Sequence, residues 1–179
     1  FNKEDQLVEE LSQLGITYLS NRSSFSSASP RAPEEIIAEC VQQPSSRVRT
    51  AAIALFLLHP QLSARLPQAL ALLDDESRQL LKVFYTGAVY LQKLYHEELY
   101  PLVEKHWDWL PDFYGTELGL SSNHTPRKAL QQLGKVHQVL THSMTNWAGT
   151  YENAALHLLR YKQRELQWNQ LLLKPSQPS

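Results

Sequence analysis

Apolar residues recur at three- and four-residue spacing along nearly the whole chain, the period that places them on one face of an α-helix. Leu7, Leu11, Leu14 and Tyr18 define a first amphipathic helix. The stretch SNRSSFSSASPRAP breaks the pattern; its Ser and Pro content predicts a flexible loop at 20–32. Pro33 then suits the first turn of EEIIAECVQQ, and Pro44 ends it. Ser45 or Ser46 is placed to cap RVRTAAIALFLL, which stops at His59-Pro60. LSARLPQALALL predicts a further helix, with Pro67 near its start or kinking it.

Asp74, Asp75 and Glu76 lead into a segment that is apolar almost all round from Leu80 to Leu91, the mark of a central helix. Gly87 inside it costs about 1 kcal/mol relative to Ala, which predicts close approach of a neighbouring helix. EELYPLVEKHW forms a short helix before an aromatic loop. Thr125-Pro126 opens a helix whose apolar face is Leu130, Leu133, Val136 and Leu140. The last helix follows NWAGTYENAA, with Gly149 as a break, Thr150 as its cap and Trp147 folding back as a staple. A polar tail at 175–179 closes the chain.

No alternating run bounded by turn residues predicts a strand. The expected fold is therefore all-α: one domain over 1–174, built from antiparallel helical hairpins in a bundle or short HEAT-like array of about seven to eight helices.

The stretch PSSRVRTAAIALFLLHP resembles the inner helix of a HEAT-type repeat. Pro44 precedes the helix, Val48 and Arg49 stand in its first turn, and Ala51 and Ala52 lie behind, up to Pro60. The resemblance implies an α-α hairpin, with LSARLPQALALL as the antiparallel partner, and the habits of a protein-binding scaffold. No second copy follows at a period of about 40 residues.

Composition adds exclusions. Net charge is −1, so no global field favours nucleic acid or an anionic membrane. The longest apolar run, AAIALFLL, is far short of the ~20 residues that span a bilayer. The single cysteine, Cys40, excludes an intramolecular disulfide and a cysteine-based zinc site, and reads as small core filler. It suits a reducing compartment, and NKEDQLVEEL does not read as a signal peptide, so a cytoplasmic location is the default expectation.

Four of the seven histidines, His124, His137, His142 and His157, fall in the last third. His137 shares a helix face with Leu133 and Leu140 and predicts a polar network with Asn146, Tyr151 and Glu152. If the protein is an enzyme, His137, Tyr151 and Glu152 are its catalytic candidates. No HExxH or related spacing points to a metal, and no GxSxG, Walker or GxGxxG motif points to a nucleophile or cofactor, so none is expected. On the last helix Asn153, His157, Arg160, Arg164 and Gln167 form one mildly basic face, which makes His157, Arg160 and Arg164 candidate phosphate ligands. Glu152 and Glu165 interrupt that neighbourhood.

The least ordinary feature is HWDWLPDFYG. Trp107, Trp109, Phe113 and Tyr114, with Asp108 and Asp112 between them and Pro111 stiffening the backbone, are the residue types enriched in protein-binding hot spots. These six residues are the expected partner-binding set. The expected function is a non-catalytic protein-interaction or regulatory module that binds another protein. The alternative is a helical enzyme or nucleic-acid-processing factor using His137, Tyr151 and Glu152.

Overall fold

Hydrophobic periodicity becomes helix throughout. The computed structural model describes residues 3–19 and 31–173, and every regular element among them is helical. In chain order these are α1 (Lys3–Gln13), α2 (Pro33–Gln42), α3 (Ser46–Arg49), α4 (Ala51–Leu58), a 3-10 helix (Pro60–Arg65) and α5 (Leu66–Ala71). Then come α6 (Asp75–Leu94), α7 (His96–Val103), a 3-10 turn (Glu104–His106), α8 (Pro126–Thr141) and α9 (Trp147–Leu173). Only Thr50, itself in a right-handed helical conformation, separates α3 from α4, and with those two joined the described residues hold eight helices. The protein is an all-α bundle. The expected loop at 20–32 lies outside the described residues except for Arg31 and Ala32, and the tail at 175–179 lies wholly outside them.

Two helices make the centre. α4 reads AAIALFLL and is buried from Ala51 to Leu57, because a helix apolar all round has no face to offer water. α6 lies against it and also packs on α2, α7, α8 and α9, and it is buried at Leu81 and continuously from Val83 to Gln92. Asp74 caps α6 by accepting from the Ser77 amide at 2.8 Å, and Thr125 caps α8 by accepting from the Lys128 amide at 3.3 Å. Arg31 closes the other edge: its guanidinium and backbone amide bind Glu10, whose buried carboxylate gains the partner that its desolvation requires.

Several local expectations need correction. Tyr18 is not on α1, which ends at Gln13; Gly15 turns the chain at φ +93° and Tyr18 enters the core from the following segment. No serine side chain caps α3. The helix expected as the antiparallel partner of α4 is a 3-10 turn followed by the six-residue α5, with Pro67 near its start, and α5 packs on α2. Leu140, at the end of α8, is exposed. α9 begins at Trp147, and its cap is Asn146, whose Oδ1 accepts from the Gly149 amide at 3.3 Å, so Gly149 and Thr150 lie inside the first turn.

The close-approach glycine is also a different one. A Cβ on Gly87 would sit 3.6 Å from Leu133 and 3.8 Å from Tyr151, which is ordinary contact. A Cβ on Gly134 would sit 3.1 Å from the backbone nitrogen of Ala148. The tight crossing is therefore between α8 and the start of α9.

Candidate functional site

The catalytic candidates do not form one site. His137 and Tyr151 are both buried, and the Tyr151 hydroxyl lies 2.5 Å from His137 Nδ1. The imidazole stacks on Trp147 at 3.8 Å and 14°, the Tyr151 ring lies nearly parallel to it with centroids 5.7 Å apart, and the Phe84 ring stands at 73° to it. Trp147 is thus a ring-stacking partner and not a helix staple. Burial, and secondarily the charge of Arg49, push His137 down to about 4, so it is neutral near pH 7 and shares one hydrogen bond with the Tyr151 hydroxyl through Nδ1. Burial alone pushes the Tyr151 phenol up.

Glu152, expected in the same network, points elsewhere. Both its oxygens accept from the Arg127 guanidinium, at 3.2 and 3.3 Å, and Oε1 also accepts from the Tyr95 hydroxyl. Those two donors hold its carboxyl below the usual glutamate range. Asn146 is occupied as the α9 cap. Adjacent positions on a helix point about 100° apart, which is why Tyr151 faces the core while Glu152 does not.

The polar face of α9 is split as well. His157 is half-buried and stacks on Tyr18 at 5.6 Å and 23°. Burial, then the charges of Arg160 and Arg47, lower its pKa, which disfavours an imidazolium for holding phosphate. Arg160 is exposed, and the Arg164 guanidinium lies 5.9 Å over the Tyr161 ring. His157 instead helps line a small cleft of about 130 Å³ with Ser46, Arg47, Thr50, Thr150 and Asn153. Arg47, a basic residue on which a nucleic-acid reading would also draw, is brought beside His157 only by the packing of α3 near α9, about a hundred residues on. Beyond Glu165, which accepts from Thr17 at 3.0 Å, α9 exposes Leu166, Trp168, Leu171, Leu172 and Leu173.

The aromatic loop is the best-formed surface feature. Its backbone is clamped by α6: the fully buried Gln92 side chain donates to Asp108 O and accepts from Leu110 N, both at 2.8 Å, and Tyr85 donates to Pro111 O at 2.6 Å. Leu110 plugs into the core beneath. Asp112 accepts from Tyr90 at 2.7 Å and from the Gly115 amide at 2.8 Å, so it pins the loop and is not a free recognition group. Burial, and then Asp112 itself, push Tyr90 up to about 12. A Cβ at residue 115 would meet the Asp112 carboxylate at 2.4 Å, so a side chain there would displace the pin.

Held this way, the loop presents its aromatic side chains in two grooves. One, of about 380 Å³, is lined by His96, Glu97, Tyr100, Trp107 and Trp109. The other, of about 320 Å³, runs between Phe113 and Tyr114 and the Ser63–Pro67 segment. Trp109 is 52% exposed and Phe113 54%, while Trp107 and Tyr114 are partly buried against the core. Phe113 stacks on Tyr85 at 5.7 Å, and Lys82 lies 5.4 Å over Tyr114. Asp108 is exposed. The sequence did not reveal His96, Glu97 and Tyr100 as part of this surface; they come from α7, which brings them beside the tryptophans.

Among the described residues no helix is long and apolar enough to cross a membrane, and no three His, Cys, Asp or Glu side chains gather as metal ligands. The chain matches no protein-family model, no curated protein and no solved structure. Fold and site together describe an all-α helical bundle with a clamped aromatic surface loop.

Proposed function

We propose that this chain is a non-catalytic module that binds another protein through the loop at 107–114. One observation carries the reading: Trp109 and Phe113 stand half-exposed on a backbone that buried α6 side chains already hold in place. Aromatic side chains cost little rotamer entropy on binding, and a pre-ordered loop removes most of the backbone cost. A buried, neutral His137 and a Glu152 tied to Arg127 give the catalytic alternative no comparable support. The fully buried Cys40, whose thiol burial pushes up, suits a reducing compartment such as the cytoplasm.

The test is affinity isolation of the native chain beside Trp109→Ala, with companions identified and quantified by mass spectrometry. A stoichiometric companion lost in the variant, at an unchanged thermal transition, supports the reading. A companion retained by the variant, or a variant that unfolds, overturns it.

A further inference from the structure

We propose that the groove between α7 and the Trp107–Trp109 limb is an aromatic cage for an alkylammonium group, the methylated side-chain head of a lysine on the partner protein. This rests on the protein-binding reading and names what that surface recognises.

The ring geometry comes first. Trp107 lies 5.5 Å from Tyr100 at 64° and 5.3 Å from Trp109 at 81°. His96 backs Trp109 at 5.7 Å and 51°. Rings packed this steeply meet edge to face and do not stack, and all four, His96, Tyr100, Trp107 and Trp109, border the same space. An aromatic face carries the negative lobe of its quadrupole, so a space bordered by several rings offers a cation more than one ring does. The space, about 380 Å³, is many times the ~30 Å³ share of a water molecule, so it admits a side-chain head.

Charge points the same way. Glu97 lines the groove, and among the described residues it makes no hydrogen bond or ion pair. Asp108, between the two tryptophans, is exposed with its carboxylate free of the clamp, which uses only its carbonyl. The lysines close by in sequence, Lys93 and Lys105, do not line the groove, and Lys93 is placed over Tyr90 at 5.0 Å.

The choice of a methylated head follows from donor counting. An unmodified ammonium carries three N–H donors, and Glu97 is the only carboxylate lining the groove. The other four lining residues are rings, and methyl groups exchange N–H donors that such a lining cannot accept for apolar contact with it, while keeping the charge.

The experiment titrates the intact chain with acetyl-Nε-trimethyllysine amide, acetyl-lysine amide, and the neutral analogue of the first in which carbon replaces the charged nitrogen. The readout is the indole N–H signals of Trp107 and Trp109 in ¹H–¹⁵N spectra. The trimethylated amide should shift both indoles and bind about five- to tenfold more tightly than its neutral analogue, the range of a cation held at half-exposed rings. Unmodified lysine should fall between them. Trp109→Leu, which keeps apolar bulk but removes a π face, should abolish the preference for charge, and Glu97→Gln should weaken only the cationic ligands.

A neutral analogue that binds as tightly as the cation overturns the cage, as does an absence of indole shifts with all three amides. If the amides fail while Trp109→Ala still breaks the native complex, the cage falls and the docking reading stands. If both fail, both fall.

Discussion

Two aromatic clusters lie on opposite sides of the same question. Around His137, rings from α6 and α9 bury a polar pair: Trp147 stacks on the imidazole, Tyr151 bonds its Nδ1 and Phe84 packs at a steep angle beside it. Around Trp109, rings of similar size stay half-exposed, because Gln92, Tyr85 and Tyr90 hold the loop by its backbone and by Asp112 while Tyr85 covers only the Phe113 side of it. An enclosed cluster contributes stability and specifies one packing. An open one, already ordered, offers area to a partner. What separates them is where the hydrogen bonds attach: to the ring itself at His137, and at the loop to backbone groups and Asp112, which leaves Trp109 without one.

The sharpest way to break the comparison is to truncate each cluster in turn. His137→Ala should lower stability by roughly 2–4 kcal/mol in denaturant unfolding, since it opens a cavity and strands the Tyr151 hydroxyl. Trp109→Ala should change it by less than about 1 kcal/mol. Equal losses would erase the distinction.

Acid should single out the closed cluster next. Between pH 6.5 and about 4 the unfolded chain protonates residue 137 while the folded chain resists, so the native state loses stability as the pH falls through that window. At full effect the loss is on the order of 3 kcal/mol. His157, also held down, contributes in the same direction, whereas the carboxyl of Glu152 adds its own loss only below the ordinary glutamate range. Thermal melts across pH 4–7 should show the slope, and His137→Gln should flatten most of it.

Smaller effects test the crossing beneath the closed cluster. Gly134→Ala should destabilise by about 1–3 kcal/mol because its Cβ meets the Ala148 backbone. Gly87→Ala should stabilise by up to about 1 kcal/mol, since the new methyl fits at ordinary contact distance and improves helix propensity. Differential scanning calorimetry of the pair decides it. A reversed order would put the tight approach back at α6.

Period and composition by themselves determined that the chain is helical, that Leu80–Leu91 is central, that Thr125 caps α8 and that an aromatic loop stands at 107–114. These features follow from spacing within one element, where a side chain's face is set by its position along the helix. Only the tertiary structure decided that, of the partners the sequence offered His137, Tyr151 meets it while Glu152 turns to Arg127, that Arg47 joins His157, and that Tyr100 and Glu97 stand beside the tryptophans. It also transferred close approach from Gly87 to Gly134 and made Asp112 a pin for the loop. Each of these depends on how one helix is rotated and seated against another, and that is settled by packing among residues far apart in the chain, which no local pattern records.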